Sequence, residues 1–527
     1  MLQFKRRDFL RVLGASATAS LLHSPASTWA KPTQAKKRNV LFIAVDDLKP
    51  ILGCYGDKRV KSPNIDRLAA RGMTFLNNHC QQAVCGPSRA SLLTGMRPDQ
   101  TKVWDLKTLI RDINPDVVTL PQHFKLNGYE SVGMGKIFDP RSVQGVVLDD
   151  PASWSGPYPH PKRNLDSEHG FCEPSTVKRL REKMADARKK GIKGYMKIMK
   201  HIGGIPTTEC YDTPDDSYAD GRVANMAVDK LKQFATSDKP FFLAVGFKKP
   251  HLPFVAPKKY WDLYKREDMQ LADWQKMPLN APEIGFQDSW ELKAVYDVPK
   301  TKIMPEDLQR EMIHGYHACV SYTDALVGKV LDALEASGKA DDTMIVLWGD
   351  HGWHLGDHGM WCKHTNFEQA TRSPMIISAP WLDTKGQSTT MPTEFVDIYP
   401  TLCDLAGLDK PSQLAGTSLL PVLNDASKHI KDAAVSQFPR WADDGKHAMG
   451  YAIRNERYRY IEWVKKDFRH DQAAGPVIAR ELYDYEVDPH ETRSFADDPK
   501  YADVLKQMQA LARKHWSINQ VVEKTDN

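Results

Sequence analysis

Val40-Leu41-Phe42-Ile43-Ala44-Val45 runs straight into Asp46-Asp47, and Met344-Ile345-Val346-Leu347-Trp348-Gly349 runs straight into Asp350-His351. Each is a short apolar run without alternation, which is how a strand buried on both faces reads. Two more such runs occupy residues 130–134 and 241–247. Helical spacing fills stretches between them, at 62–71, 220–234 and 316–334. In the last of these, Val320, Leu326, Val327, Val330, Leu331 and Leu334 form one apolar stripe. Strands alternating with helices predict an α/β domain with a mostly parallel sheet between helices. In such sheets ligands gather beyond the carboxyl ends of the strands. Asp46, Asp47, Asp350 and His351 therefore fall at one edge. An isolated Asp-Asp pair is usually a turn or a cap, but three carboxylates in one pocket repel unless a cation lies among them. An oxygen-rich set of ligands favours Ca²⁺ ahead of Mg²⁺, and both ahead of zinc.

The chain has 527 residues, enough for one large domain and a smaller one. Its 72 basic and 67 acidic side chains leave a net charge of only +5, which gives no argument for nucleic acid binding and would not repel an anionic polymer. No segment reaches the roughly 18–20 apolar residues of a membrane span. Lys5-Arg6-Arg7-Asp8-Phe9-Leu10 resembles a twin-arginine export motif, an apolar stretch follows at 12–22, and Thr28-Trp29-Ala30 resembles a cleavage site. Residues 1–30 then read as a signal peptide handled by twin-arginine export machinery, with the mature protein periplasmic or extracellular.

Residues 31–430 hold the strand–helix pattern, apart from a Pro-, Gly- and charge-rich insertion at 140–216. The basic helical run at 178–200 within it reads as a solvated face, with a substrate-facing lid as the alternative. From about residue 431 short strand-like segments at 449–454, 458–464 and 481–485 precede a helix at 501–516, a smaller α+β subdomain with an antiparallel sheet. The 8 cysteines show no zinc spacing. Cys54, Cys80, Cys319 and Cys403 read as small buried hydrophobes, and Cys172 and Cys210 as a pair that export would allow to join.

Cys85 is different. Cys85-Gly86-Pro87-Ser88-Arg89-Ala90-Ser91-Leu92-Leu93-Thr94-Gly95 places Pro87 in a first helical turn and Gly95 at the end. Cys85 then lies at a helix N-terminus, which favours a bound anion, with Arg89 one turn on. The segment matches the pattern C-x-P-S-R-x-x-x-L-T-G of the type I sulfatases at every fixed position. The resemblance extends to the iduronate-2-sulfatase-like branch through Gly135-Lys136-Ile137-Phe138, Asp350-His351-Gly352-Trp353, Asn366-Phe367-Glu368 and Asp488-Pro489-His490-Glu491-Thr492.

The resemblance implies an alkaline-phosphatase-like fold and a sulfuric ester hydrolase. It implies that a maturation enzyme oxidises Cys85 to formylglycine, whose hydrated aldehyde attacks sulfur with one hydroxyl and lets sulfate leave with the other. It assigns Asp46, Asp47, Cys85, Asp350 and His351 to one divalent cation. Lys136 and Lys363 are assigned to the sulfate, toward which Arg89 faces from its place one turn into the helix, and His251 to the leaving oxygen as general acid. Lys249, Trp353 and His354 are candidates for reading the sugar, with packing roles as the alternative for the last two. One departure stands out. The family has a histidine three residues after the lysine of the Gly-Lys segment, where this chain has Asp139. The implied substrate is a sulfated saccharide, attacked from its end at a 2-sulfated uronic acid. Rhamnose sulfate is a rival within the same chemistry. A phosphodiesterase or phosphonate hydrolase, or a glycan-binding protein without catalysis, are rivals of another kind.

Overall fold

Asn39–Val45 forms β1 in the computed structural model, which describes residues 37–470 and 474–515. The signal-peptide reading of residues 1–30 lies outside the described residues. Each residue of β1 is buried, because both faces of the sheet are covered. Leu41, Ile43 and Val45 enter one apolar core, while Val40, Phe42 and Ala44 enter the other.

In chain order the other strands of this sheet are β2 (Met73–Phe75), β3 (Glu130–Gly135), β4 (Phe241–Phe247), β5 (Thr343–Gly349), β6 (Met375–Ser378) and β7 (Gln387–Thr389). Their order across the sheet is β7-β2-β6-β5-β1-β4-β3. The four strands read from apolar runs are the adjacent parallel set β5-β1-β4-β3. β6 runs antiparallel to β5 and β2. The sheet is thus mixed but mostly parallel, as the pattern predicts.

The long helix Glu306–Ala336 begins ten residues before the predicted stretch 316–334, because Glu306 and Asp307 open it on the solvent side after Pro305. The basic run in the insertion is two helices, Pro174–Lys189 and Tyr195–Ile202, broken at Gly191 and Gly194, whose φ values of 68° and 90° favour glycine. Val177, Leu180, Met184 and Ala187 face the core, so the lysines of the first helix lie on a solvated face. Cys172 is buried and Cys210 exposed, and both are free thiols, so the expected pairing is not formed.

Near the C-terminus Ala434–Trp441 (β8), His447–Arg454 (β9), Tyr458–Lys465 (β10) and Val477–Asp484 (β11) form an antiparallel sheet in sequential order. One face packs Tyr451, Ile453, Tyr460 and Val464 against Met508 and Ala512 of the helix Ala502–His515. The other packs Ala452, Ile461, Trp463 and Tyr483 against Met360 and Phe367 of the larger portion. Beside this contact Arg459 is fully buried. It donates to Glu368, to Asn366 O (2.7 Å) and to Tyr485 Oη (2.8 Å), and lies 3.3 Å from Glu491 Oε1. From Arg38 onward the described residues make one compact unit.

Breaking a buried ion pair from one side leaves an uncompensated charge. Arg459→Met should therefore cost about 3–5 kcal/mol of stability. Guanidinium unfolding checks this, and a variant that unfolds together with the unaltered protein would remove the network from this role.

Candidate active site

The ladder register brings the strand ends level. Val45 lies beside both Phe247 and Gly349, and Gly135 beside Gly246. The next residues, Asp46-Asp47, Lys248-Lys249, Asp350-His351 and Lys136, therefore leave the sheet at one edge. The helix Cys85–Thr94 points its first residue at the same place. No side chain caps its N-terminus, and Gly95 ends it at φ 68°. Cys85 Sγ lies 3.4 Å from Asp46 Oδ1, 3.4 Å from His351 Nε2 and 4.0 Å from Asp47 Oδ1. Burial and the Asp46 carboxylate push the Cys85 thiol well above its usual pKa, so it is protonated.

Three carboxylates meet here, and each has different company. Burial alone would raise the pKa of Asp46, but Lys136 Nζ at 2.5 Å and Arg89 at 3.2 Å outweigh it and hold Asp46 well below the carboxylate range. Arg89 also donates to Asp350 Oδ2 (2.9 Å), Lys136 O (2.5 Å) and Ile137 O (2.9 Å). With no exposed surface and its nitrogens bound to protein oxygens, Arg89 braces the carboxylates from behind rather than facing outward.

Asp47 is less well matched. Burial, with Asp46, Asp350 and Glu291 nearby, pushes it well above the carboxylate range although Lys363 faces it. His351 accentuates the imbalance. Its Nδ1 is 3.0 Å from Gly352 O and so carries the proton. Its Nε2 then turns a lone pair toward Asp47 Oδ1 at 3.4 Å and Asp350 Oδ1 at 3.6 Å. Lone pairs facing one another in a buried pocket call for a positive charge between them. Ligand atoms of Asp47, Cys85, Asp350 and His351 all lie within 4.8 Å of one another, and Asp46, Asp47 and Cys85 belong to a second such group with His251. The residues fit a divalent cation.

On the outer side Lys363 Nζ lies 3.2 Å from Asp47 Oδ2 and 3.1 Å from Glu291 Oε2, with the Trp353 ring centre 4.8 Å away. His251 Nδ1 is fixed by Leu252 O at 2.6 Å, and its Nε2 reaches Asp47 at 3.8 Å and Glu291 at 3.7 Å. Glu291 escapes sequence reasoning. It comes from the short helix Trp290–Val295 in an irregular stretch, and no local pattern links it to the strand ends.

Three substrate-reading candidates are placed elsewhere. Lys249 Nζ is bound to His251 O and Pro253 O, each at 2.5 Å, so it shapes the histidine loop from within. His354 has no exposed surface and is bound to Thr365 Oγ1 at 2.9 Å. Trp353 is equally buried and underlies Lys363 and His251. Packing, not contact with a sugar, accounts for His354 and Trp353, while Lys249 spends its ammonium on its own loop. Asp139 is fully buried and held by Arg141 through both oxygens, at 2.8 and 2.7 Å. Burial opposes its ionisation, but Arg141 and Lys136 hold it well below the carboxylate range, which makes it a poor base.

Residues 38–408 match the family model described as Sulfatase. The chain belongs to the sulfatase family. Residues 356–516 of this sulfatase also match the model described as N-sulphoglucosamine sulphohydrolase, C-terminal. The sulfatase is 34% identical over 530 residues to iduronate 2-sulfatase of Mus musculus, covering 89% of this chain and 92% of the relative. The resemblance to the iduronate-2-sulfatase-like branch holds, and the enzyme is a sulfuric ester hydrolase. Among solved structures a 2-O GAG sulfatase superposes with a TM-score of 0.62 at 24% identity, covering 91% of this chain and 92% of the other. The phosphonate monoester hydrolase of Agrobacterium radiobacter superposes with a TM-score of 0.66 at 22% identity, covering 91% and 96%. These likenesses establish the alkaline-phosphatase-like fold.

Divalent cations titrated one at a time into chelated protein should raise its melting temperature. A cation at a hundredfold excess over its Kd should add about 2.7 kcal/mol, and Asp350→Ala should abolish the response. A melting curve indifferent to every divalent cation would overturn the assignment.

Proposed function

We propose that this sulfatase desulfates an acidic saccharide from its non-reducing end, at a 2-sulfated uronic acid, using formylglycine made from Cys85 and one Ca²⁺. The observation that carries the reading is the 34% identity to iduronate 2-sulfatase across 89% of the chain. The site adds support, since a buried cysteine, a cation-deficient carboxylate set and two lysines face one point.

Asp46, Asp47, Asp350 and His351 would hold the cation, an oxygen-rich set that favours Ca²⁺ or Mg²⁺. When present, formylglycine and the cation supply an oxygen nucleophile of lowered pKa and polarise a sulfate oxygen. Lys136 and Lys363 flank that point and neutralise the sulfate oxygens, while Arg89 pairs with Asp46 and Asp350. His251 Nε2 is the nitrogen left free to protonate the leaving oxygen. Burial, Lys363 and Lys136 bring its pKa down to about 3 in the free protein. An incoming sulfate ester brings negative charge between the same lysines and relieves part of that push.

The N-terminal segment supports export by twin-arginine machinery to a periplasmic or extracellular space, with a maturation enzyme acting on Cys85. Rhamnose sulfate remains the rival substrate. The structural likeness to a phosphonate monoester hydrolase favours a second reading, phosphonate or phosphodiester cleavage at the same site.

Turnover of defined sulfated saccharides against phosphonate and phosphate esters, in one preparation, tests the reading. Peptide mass analysis of protein from its own host should show Cys85 converted. An unmodified thiol in active enzyme would overturn the nucleophile. His251→Ala should lower kcat about 10²- to 10⁴-fold on a sugar sulfate. On an activated aryl sulfate, whose leaving group needs no proton, the loss should be far smaller. Equal losses on both would remove His251 from the acid's role.

A further inference from the structure

Past Lys136 and His251 the site opens into a cavity of about 600 Å³. That is room for a sugar ring and more beyond the sulfate itself. Its walls come from the loop after β3, the insertion near His169, the start of the helix Ala219–Ala235 and the loop after β4.

The charges on these walls are unevenly matched. Arg141 is taken up by Asp139. Asp220 Oδ2 accepts the backbone N–H groups of Lys248 (2.8 Å) and Lys249 (2.7 Å), so that carboxylate serves the main chain, and the ammonium groups of both lysines act on it only from a distance. Arg222 donates only to the carbonyls of Asp216 (2.7 Å) and Ser217 (2.6 Å), and its Nε is buried with no hydrogen-bond partner. The exposed Lys248 ammonium forms no hydrogen bond or ion pair with the described residues. Among the described residues, two cations therefore line the cavity without a carboxylate in direct ion-pair contact.

We propose that this cavity is a second anion subsite, in which Lys248 and Arg222 bind a carboxylate or second sulfate carried by the saccharide beyond the ester being cleaved. The inference rests on the reading of the substrate as an acidic saccharide. It makes the second charge, and not the sulfated ring alone, a determinant of selection. It also gives the 140–216 insertion a part in recognition through the wall near His169, while the insertion's lysine-rich helix stays solvated.

The test uses inhibition of aryl sulfate hydrolysis by the mature enzyme, so it does not depend on which sugar sulfate is the substrate. The probes are an unsulfated uronic-acid disaccharide, its carboxyl-reduced form, and the reduced form carrying one sulfate. The better of the two anionic probes should inhibit at least about tenfold more tightly than the neutral one. That ratio should collapse toward one in Lys248→Gln and in Arg222→Gln, and recover in Lys248→Arg. The Lys248 variants alter an exposed side chain, so they carry the test if Arg222→Gln fails to fold. Equal inhibition by all three probes, or a ratio unchanged in Lys248→Gln, would overturn the subsite. If the ratio behaves as expected while no 2-sulfated uronic acid is desulfated, the substrate reading fails and the subsite stands.

Discussion

Carboxylates that share one water-poor pocket repel each other, and the arrangement of this sulfatase follows from containing that repulsion. Asp46, Asp47 and Asp350 are delivered by the ends of two neighbouring strands, so the parallel sheet itself forces them together. Arg89 and Lys136 settle Asp46, and Arg89 also reaches Asp350. Lys363 faces Asp47 from the outer side without settling it. What remains unbalanced is the side of Asp47 and Asp350 that His351 meets with a lone pair. A divalent cation placed there would relieve the same imbalance. Cys85 stands at the border between this negative interior and the cationic approach formed by Lys136 and Lys363.

Much of this was legible in the chain. The strands at 40–45, 130–134, 241–247 and 344–348 are uninterrupted apolar runs, and strands covered on both faces leave that signature. Because ligands collect at strand ends, Asp46, Asp47, Asp350, His351 and Lys136 could be placed at one edge before any coordinates. What was not legible depends on where a side chain turns after it leaves the backbone. Lys249 sits one strand end from the nucleophile yet folds back onto its own loop. His354 is three residues from His351 and points into the packing beneath. Glu291 lies 72 residues before Lys363 in a stretch with no periodicity, so only tertiary structure joins them. The replacement at Asp139 was visible, but its pairing with Arg141 was not.

The site also divides by the kind of structure that carries it. Its sulfate-facing half rises from strand ends and one buried helix, where packing leaves little freedom. The half farther from sulfur is walled partly by the insertion and by loops after β3 and β4. Loops tolerate change that a packed core does not. The walls around the pocket can therefore vary more freely than the strand ends beneath it, and the fold itself is shared with both a 2-O GAG sulfatase and a phosphonate monoester hydrolase.

The C-terminal sheet has a consequence for the order in which the protein is completed. The segment after Lys363 is gripped from that sheet at His364 O by Arg440, at Asn366 by Gly450 O (2.9 Å) and Arg459 (2.7 Å), and at Glu368 by Arg454 and Arg459. A ribosome makes the nucleophile's helix hundreds of residues before it makes these strands. Until they emerge, the loop bearing Lys363 has no platform to rest on. The cysteine is thus among the first parts of the centre to exist, and the far side of its pocket among the last to close over it.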